Sequence, residues 1–370
     1  MRLCFVVVGV HGRHANMKRA FGMAPHLIRA GDDITICLEE AAENRAAISG
    51  IPGCKALWFR KASVWKERQD KSRLLRHERF DFIHLCGLGW RNALLPGLEL
   101  ASPAIMEHTE LESSFLGTCR VRRAAQWILE AASLLYYSNS VVVSHFLEGL
   151  FQRRSHTLGI RRHILYLPFA GDIAIQDPGS ERPPEIGGDL GNRKLLIYMG
   201  NLYPAYGVFD MLAALRELTR IRRDWVCCWI GDGPARAELE TRTKAAGLEG
   251  LVRFLGRCSE AQMAPCMKAA SVFVSPLQDT VTDWARCPGK TFIYMMYEKP
   301  IVTCRVGESL HCLGDDGFYY TPGDPDSMCS AIQRALDAPS TWRPRYRRED
   351  YTWQARAKQY REWLLTLQET

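Results

Sequence analysis

The sequence lacks several features that would have assigned it quickly. No apolar run approaches the roughly 20 residues that cross a bilayer, so any membrane contact would be peripheral. The opening MRLCFVVVGV runs straight into HGRHANMKR with no small-residue cleavage site, which makes it a first strand rather than a signal peptide. Its 13 cysteines form no C-x-x-C pair and are odd in number, and several sit inside apolar runs (Cys4, Cys37, Cys227, Cys228, Cys304). That excludes a zinc knuckle or a disulfide framework and points to buried free thiols in a reducing cytoplasm. There is no G-x-G-x-x-G. Gly289-Lys290-Thr291 ends like a phosphate-binding P-loop, but the pattern needs a glycine five residues before Gly289, where Trp284 stands. No DxD-like acidic pair stands directly at a strand end in the second half, and Asp315-Asp316 falls in a turn beyond, so no metal is implied.

What is present describes a folded α/β protein. A chain of 370 residues with 47% apolar and 24% charged residues exceeds one ordinary core and suggests two domains. The net charge of +7 is concentrated in residues 1–180, where 23 Lys and Arg face 17 Asp and Glu. Much of that excess lies between Lys55 and Arg79, where nine basic residues face three acids and alternate with Trp58, Phe59 and Trp65. Two readings stand: a solvated helix face with aromatics packed inward, or a surface for anionic lipid headgroups. No DNA or RNA motif supports a nucleic-acid partner.

Strand-like runs alternate with helix-length segments throughout. RLCFVVVG, DITICLEE, FDFIHLCG, PAIMEH, SLLYYSNS and RHILYLPFAGD read as strands of the first half, with NMKRAFGMAPHLIRAG a helix closed by Gly31 and Ser144 a helix N-cap. Residues 176–193 are rich in Pro, Gly and charge and read as a linker. KLLIYMG, WVCCWIG, VRFLG, VFVSP and PIVTC then restart the alternation. Two tandem parallel sheets with helices on both faces follow. The expected boundaries are 1–175, a linker at 176–193, 194–345, and a helical tail at 346–370. In such sheets ligands collect at the carboxyl ends of strands, where glycines permit close backbone approach and helix N-termini favour anions. Four turns fit: Gly9–His14, Gly200–Gly207, Gly231–Pro234 and Pro288–Lys290.

In order and spacing, IYMGNLYPAYGVFDM, IGDGPARAELE, VRFLGRCSE and GKTFIYMMYEKPIVT resemble the donor half of nucleotide-sugar glycosyltransferases of the GT-B fold, nearest the family-four group. AIMEHTE and SNSVVVSHFLEGL resemble the acceptor half more loosely. The resemblance implies two Rossmann-like domains facing a cleft and a C-terminal helix crossing back to the first. It also implies a cytoplasmic transferase, at most peripheral at the inner membrane face, that moves a sugar from a UDP- or GDP-linked donor. The acceptor expected, a glycan or a lipid-linked polysaccharide precursor, rests on the basic aromatic stretch alone; no cofactor beyond the co-substrate is implied. The chain departs from the family pattern where two glutamates eight positions apart are usual and Ala285 and Ile293 stand instead. Asn201 and Tyr206 occupy the positions of a usual basic pair.

With those groups absent, Lys290 is the best cation for the donor diphosphate, beside Gly289, with Arg257 and Arg286 in support. Gly200 and Asn201 would line the opposite side, and Arg257 and Cys258 would sit by the base, although Cys258 equally reads as loop filler. Gly231 and Gly233 shape a turn or touch donor, and Thr280, Asp283 and Tyr294 are further ribose or phosphate contacts. On the acceptor side Glu107, His108 and Glu110 offer a base for an inverting transfer, each with an alternative structural reading; a retaining transfer needs none. His11, Gly12, Arg13, His14 and Asn16 would contact the acceptor. A catalytically silent sugar-nucleotide binder or scaffold, and a sugar-nucleotide epimerase, remain alternatives.

Overall fold

The computed structural model describes residues 1–12, 17–92, 95, 102–115, 119–172 and 191–369. They form two compact units. The first comprises Met1–Phe169 with Trp284–Cys287 and Trp353–Thr370; the second comprises Ala170–Asp283 with Pro288–Thr352. Most of the expected linker, residues 176–190, lies outside the described residues, as do Arg13, His14 and Asn16.

The first unit runs β1 (Arg2–Val6), α1 (Met17–Arg29), β2 (Asp33–Glu39), α2 (Ala42–Ser49), β3 (Lys55–Phe59), α3 (Val64–Arg76), β4 (Phe82–Leu85), β5 (Ala104–His108), α4 (Arg120–Tyr136), β6 (Asn139–Val142), α5 (His145–Thr157) and β7 (His163–Tyr166). All its strands pair in parallel in the order β3-β2-β1-β4-β5-β6-β7. Leu3 stands opposite Ile34 on one side and Phe82 on the other, so β1 is central. Its unbroken apolar run is what a strand covered on both faces requires. Leu75 of α3 and Leu129 of α4 share one buried cluster with Val6, Leu85 and Met106, which places these two helices on the same sheet face.

The second unit runs β8 (Lys194–Met199), α6 (Val208–Ile221), β9 (Trp225–Ile230), α7 (Arg236–Ala245), β10 (Val252–Gly256), α8 (Glu260–Ala269), β11 (Val272–Val274), α9 (Val281–Ala285), α10 (Gly289–Met295), β12 (Ile301–Cys304), α11 (Gly307–Leu313), β13 (Phe318–Tyr320) and α12 (Pro325–Leu336). Its parallel order is β10-β9-β8-β11-β12-β13, the order of a dinucleotide-binding sheet with its switch point between β8 and β11. Helix α13 (Trp353–Gln368) belongs to the first unit and packs on α1. Gly22 makes that approach possible, because a Cβ there would come within 2.4 Å of the Trp353 indole.

One expectation needs correction, and one of two open readings is favoured. SLLYYSNS is not a strand: α4 continues to Tyr136 and β6 begins only at Asn139. Leu129, Glu130, Ser133 and Leu134 are buried at helical spacing, a period that a short window of apolar residues conceals. The basic stretch is β3 followed by α3, and much of its charge is matched internally. Lys71 is buried against Glu67 (2.8 Å) and Asn92 (2.9 Å). Lys55 pairs with Asp33, and Lys66 and Arg73 both reach Asp70. Phe59 is buried and Trp58 lies under the Arg45 guanidinium, so the reading with aromatics packed inward describes this stretch better than a lipid-binding surface, Trp65 excepted.

Candidate functional site

In the second unit, three strand-end turns interlock at the carboxyl edge of the sheet. Gly200 donates its N–H to Ile230, Leu202 to Asp232, and Gly231 to Gly256. Gly200 and Gly231 have φ of +143° and +139°, outside the comfortable range of any side chain-bearing residue. A Cβ on Gly231 would stand 1.9 Å from the Gly200 carbonyl oxygen, and one on Gly233 would stand 2.5 Å from that of Leu202. These two glycines therefore let one turn nest on another, which favours the turn-shaping reading over direct donor contact.

Lys290 enters the same place from α10. Its ammonium lies 4.3 Å from the centre of the Tyr198 ring, and a Cβ on Gly200 would come within 3.5 Å of it. The Tyr198 hydroxyl donates to the Asn201 carbonyl (2.8 Å), so one buried ring both supports the cation and fixes the glycine turn. Helix α10 has only seven residues, too few for a strong dipole; the fixed positive charge here is the lysine's. Thr291 does not continue a P-loop, since its hydroxyl is buried 3.4 Å from both Ser275 and Ser309.

The other donor-side candidates divide. Tyr294 is fully buried, stacks on Phe273 at 4.4 Å, and accepts from the Met199 N–H while donating to the Val274 carbonyl. It braces the ends of β8 and β11 and is not a ligand contact. Asp283 is buried and accepts from the Gln278 N–H (2.6 Å), while Thr280 accepts from the Asp283 N–H. Both hold the turn that leads into α9. Arg257 is exposed beyond β10, and Cys258 directs its thiol at the Leu255 and Gly256 carbonyls. Arg286 belongs to the first unit, where it faces Glu110.

In the first unit the acidic loop after β5 separates into distinct roles. Glu107 is wholly buried, accepts from Arg19 at 2.5 Å and meets His84 at 3.3 Å. Burial alone would raise its carboxyl, yet Arg19 and His84 more than offset this and hold it at about 2. It is a structural ion pair and not an available base. His108 is buried with neither ring nitrogen hydrogen-bonded among the described residues, and its ring lies 4.2 Å from that of Phe151. Burial pushes its imidazole down to about 3, against the pull of Glu107 and with a push from Arg154. A group that weakly basic stays neutral and cannot hold a proton near pH 7. Glu110 is exposed at the loop, and desolvation raises its carboxyl while Arg286 opposes the rise. That direction suits a base.

The turn after β1 carries His11 and Gly12, both exposed, at this sheet's own switch point between β1 and β4. Sequence reasoning missed what fixes it. Buried Asn44 accepts from the His11 N–H (2.7 Å) and donates to the Gly9 and Glu39 carbonyls, while Asn92 donates to Val6 and Cys86. A single asparagine in a helix or a turn carries no recognisable spacing, so nothing in the sequence pointed to Asn44 or Asn92.

A family model for glycosyl transferases group 1 matches residues 193–338. Residues 193–338 are a glycosyl transferases group 1 domain. An alpha-D-kanosaminyltransferase of Streptomyces kanamyceticus is 28% identical over 154 residues, which is 40% of this chain and only 38% of that protein's length. Among solved structures, HepE of Anabaena in complex with UDP-glucose aligns over 100% of both chains with a TM-score of 0.71 at 15% identity. Sucrose-phosphate synthase of Thermosynechococcus elongatus aligns over 99% of both with a TM-score of 0.72 at 16% identity. At such identities the likeness shows the fold, and the fold is GT-B.

The interlocked turns of the group 1 domain make a direct prediction. Gly231→Ala is expected to destabilise the domain by about 1–3 kcal/mol, through a strained φ and overpacking against Gly200. It should also weaken donor binding by displacing Gly200–Leu202. Thermal melts and ligand titration check this, and an alanine variant of wild-type stability would show that the turns do not interlock as described.

Proposed function

We propose that the protein transfers a sugar from a nucleotide-diphosphate donor to an acceptor hydroxyl, with the donor diphosphate on the second unit. The observation that carries this reading is the Lys290 ammonium held over Tyr198 at the Gly200 turn, a fixed positive charge beside backbone that no Cβ screens. In transfer, the bond from the anomeric carbon to the diphosphate oxygen breaks as the acceptor oxygen bonds to that carbon, and the nucleoside diphosphate leaves carrying the developed charge. Opposing that charge lowers the main barrier. The acceptor hydroxyl loses its proton to Glu110 if the transfer inverts configuration, or to the departing phosphate if it retains it. Glu107 and His108 are not suited to this step, for the reasons of pairing and basicity given above.

Because Lys290 supplies the charge, turnover is expected to persist in excess EDTA. Gly200, Asn201 and Gly289 belong to the proposed donor site, with Arg257 at its margin; His11 and Gly12 belong to the acceptor side. The acceptor we propose is a glycan or a lipid-linked precursor at the cytoplasmic face of the membrane. The presence of UDP-glucose in the Anabaena neighbour makes it the first donor to try. A thermal-shift screen against UDP-, GDP- and ADP-sugars, followed by measurement of nucleoside diphosphate release, tests the reading. Stabilisation by one donor class together with release supports transfer. Tight binding without release across a broad acceptor panel would instead mark a silent relative, a reading for which Ala285 and Ile293 are the specific motive.

A further inference from the structure

Helix α4 is built inside out. Its buried side carries Gln126, Glu130 and Ser133 along with Leu129 and Leu134, whereas Val121, Trp127, Ile128 and Leu135 are exposed at 80%, 55%, 59% and 59%. At about 100° per residue, Val121, Ala124, Ile128, Ala131, Ala132 and Leu135 fall within an arc of about 100° that points away from the sheet. The stripe is flanked by Trp127 and Arg120 on one side and by Arg122 on the other, all exposed, while Arg123 lies toward the sheet side and donates to the Ser113 carbonyl at 3.1 Å. The sole acid of the helix, Glu130, is turned inward and accepts from the Ser113 N–H and hydroxyl. An apolar stripe facing water does nothing for the fold of this unit.

The arginines make the same point independently. The first turn of α4 has no acid and the Cys119 N-cap makes no side-chain hydrogen bond, so three cations crowd the helix end where the dipole is positive. Helices ordinarily place acids there, and cations at that end oppose helix stability. Part of this charge is met within the unit, by the Ser113 carbonyl on Arg123 and by Glu112 beside Arg122, and Arg120 and Arg122 remain at the edges of the apolar stripe, where an anionic surface would meet them.

We infer that α4 is a membrane-docking helix that lies along an anionic lipid surface, with Val121, Ile128 and Leu135 in the acyl boundary and Arg120 and Arg122 among the headgroups. The combination fits an interfacial helix: apolar area on one face, tryptophan at its edge, and arginines whose stems can cross the apolar zone while their heads stay wet. Charge complementarity favours lipid over a second copy of this chain, because a copy would bring the same arginines and no exposed acid on this helix. The β3–α3 stretch lies on the same sheet face, and its exposed Trp65 would be a secondary contact there.

The test is flotation of the full chain with vesicles of phosphatidylcholine alone or with 30% phosphatidylglycerol. Wild type should float only with the anionic vesicles, and less at high salt, since each arginine near the surface contributes about fivefold to partitioning. Ile128→Glu with Leu135→Glu should lower partitioning at least tenfold while melting temperature and donor binding stay at wild-type values, because both side chains are exposed. Quenching of tryptophan by brominated lipid should fall in Trp127→Phe. Absence of wild-type flotation, or flotation unchanged in the double variant, would overturn the inference. So would a wild-type dimer in light scattering that becomes monomeric in the double variant, since a second copy would then be what covers the face.

Discussion

Lys290→Ala is expected to slow sugar transfer by about 10²–10³-fold, the loss seen when one preorganised donor to a developing negative charge is removed. The effect should fall mainly on kcat, because the charge the ammonium meets is largest as the diphosphate departs. Melting temperature should change little: the side chain is only half-buried, and Tyr198 keeps its hydroxyl bond to Asn201. Lys290→Arg should recover part of the rate, since a guanidinium keeps the charge but not the compact shape that fits beside the Gly200 backbone. Arg257→Ala should cost far less, because that side chain is exposed beyond β10. Nucleoside diphosphate release under donor saturation measures all three. A Lys290→Ala enzyme within threefold of wild type would mean that the diphosphate is neutralised elsewhere and would remove the central residue of the proposed site.

The parallel-sheet architecture was legible because the strands are long apolar runs separated by helices with clear caps. Ser144, expected as an N-cap, does accept from the Leu147 N–H. Legibility failed where one run served two elements, as at SLLYYSNS, and where charge was read without its partners, as at Lys71, whose ammonium is buried against Glu67. The site was legible as glycines and a lysine at strand ends, but not by role. Tyr294 and Glu107 were singled out for their chemistry, and both turned out to be committed to other protein groups. Sequence spacing shows which side chains approach a strand end. It does not show whether a hydrogen bond from a distant element has already taken them, and Arg19 lies 88 positions from Glu107.

That distant pair gives the largest expected effect on stability. Arg19→Ala is expected to destabilise the first unit by about 3–5 kcal/mol, the cost of leaving a buried charge without its partner. Its guanidinium joins the Glu107 carboxylate to the Leu167 carbonyl, and on the far side Glu107 meets His84, which shares a hydrogen bond with Tyr360 of α13. The network therefore ties α1, β4, β5 and the C-terminal helix together, and its loss should expose α13 to hydrogen exchange and proteolysis. Replacing both ends by apolar residues, Arg19→Met with Glu107→Leu, should cost less than the sum of the single changes, because no unpaired charge remains. Acid should act in the same direction as Arg19→Ala. Glu107 has its carboxyl lowered from 4.5 to about 2, so its contribution is whole above pH 4.5 and is lost as pH falls toward 2. The buried imidazoles of His84 and His108 are lowered from 6.5, so the unfolded chain takes up protons first and stability begins to decline below pH 6.5. The melting temperature of wild type should thus fall steadily from pH 6.5 downward, and in Arg19→Ala the part of that fall due to Glu107 should be reduced. Melts from pH 8 to 3 would show it, and an Arg19→Ala protein within 1 kcal/mol of wild type would mean that the ion pair does not hold this unit together.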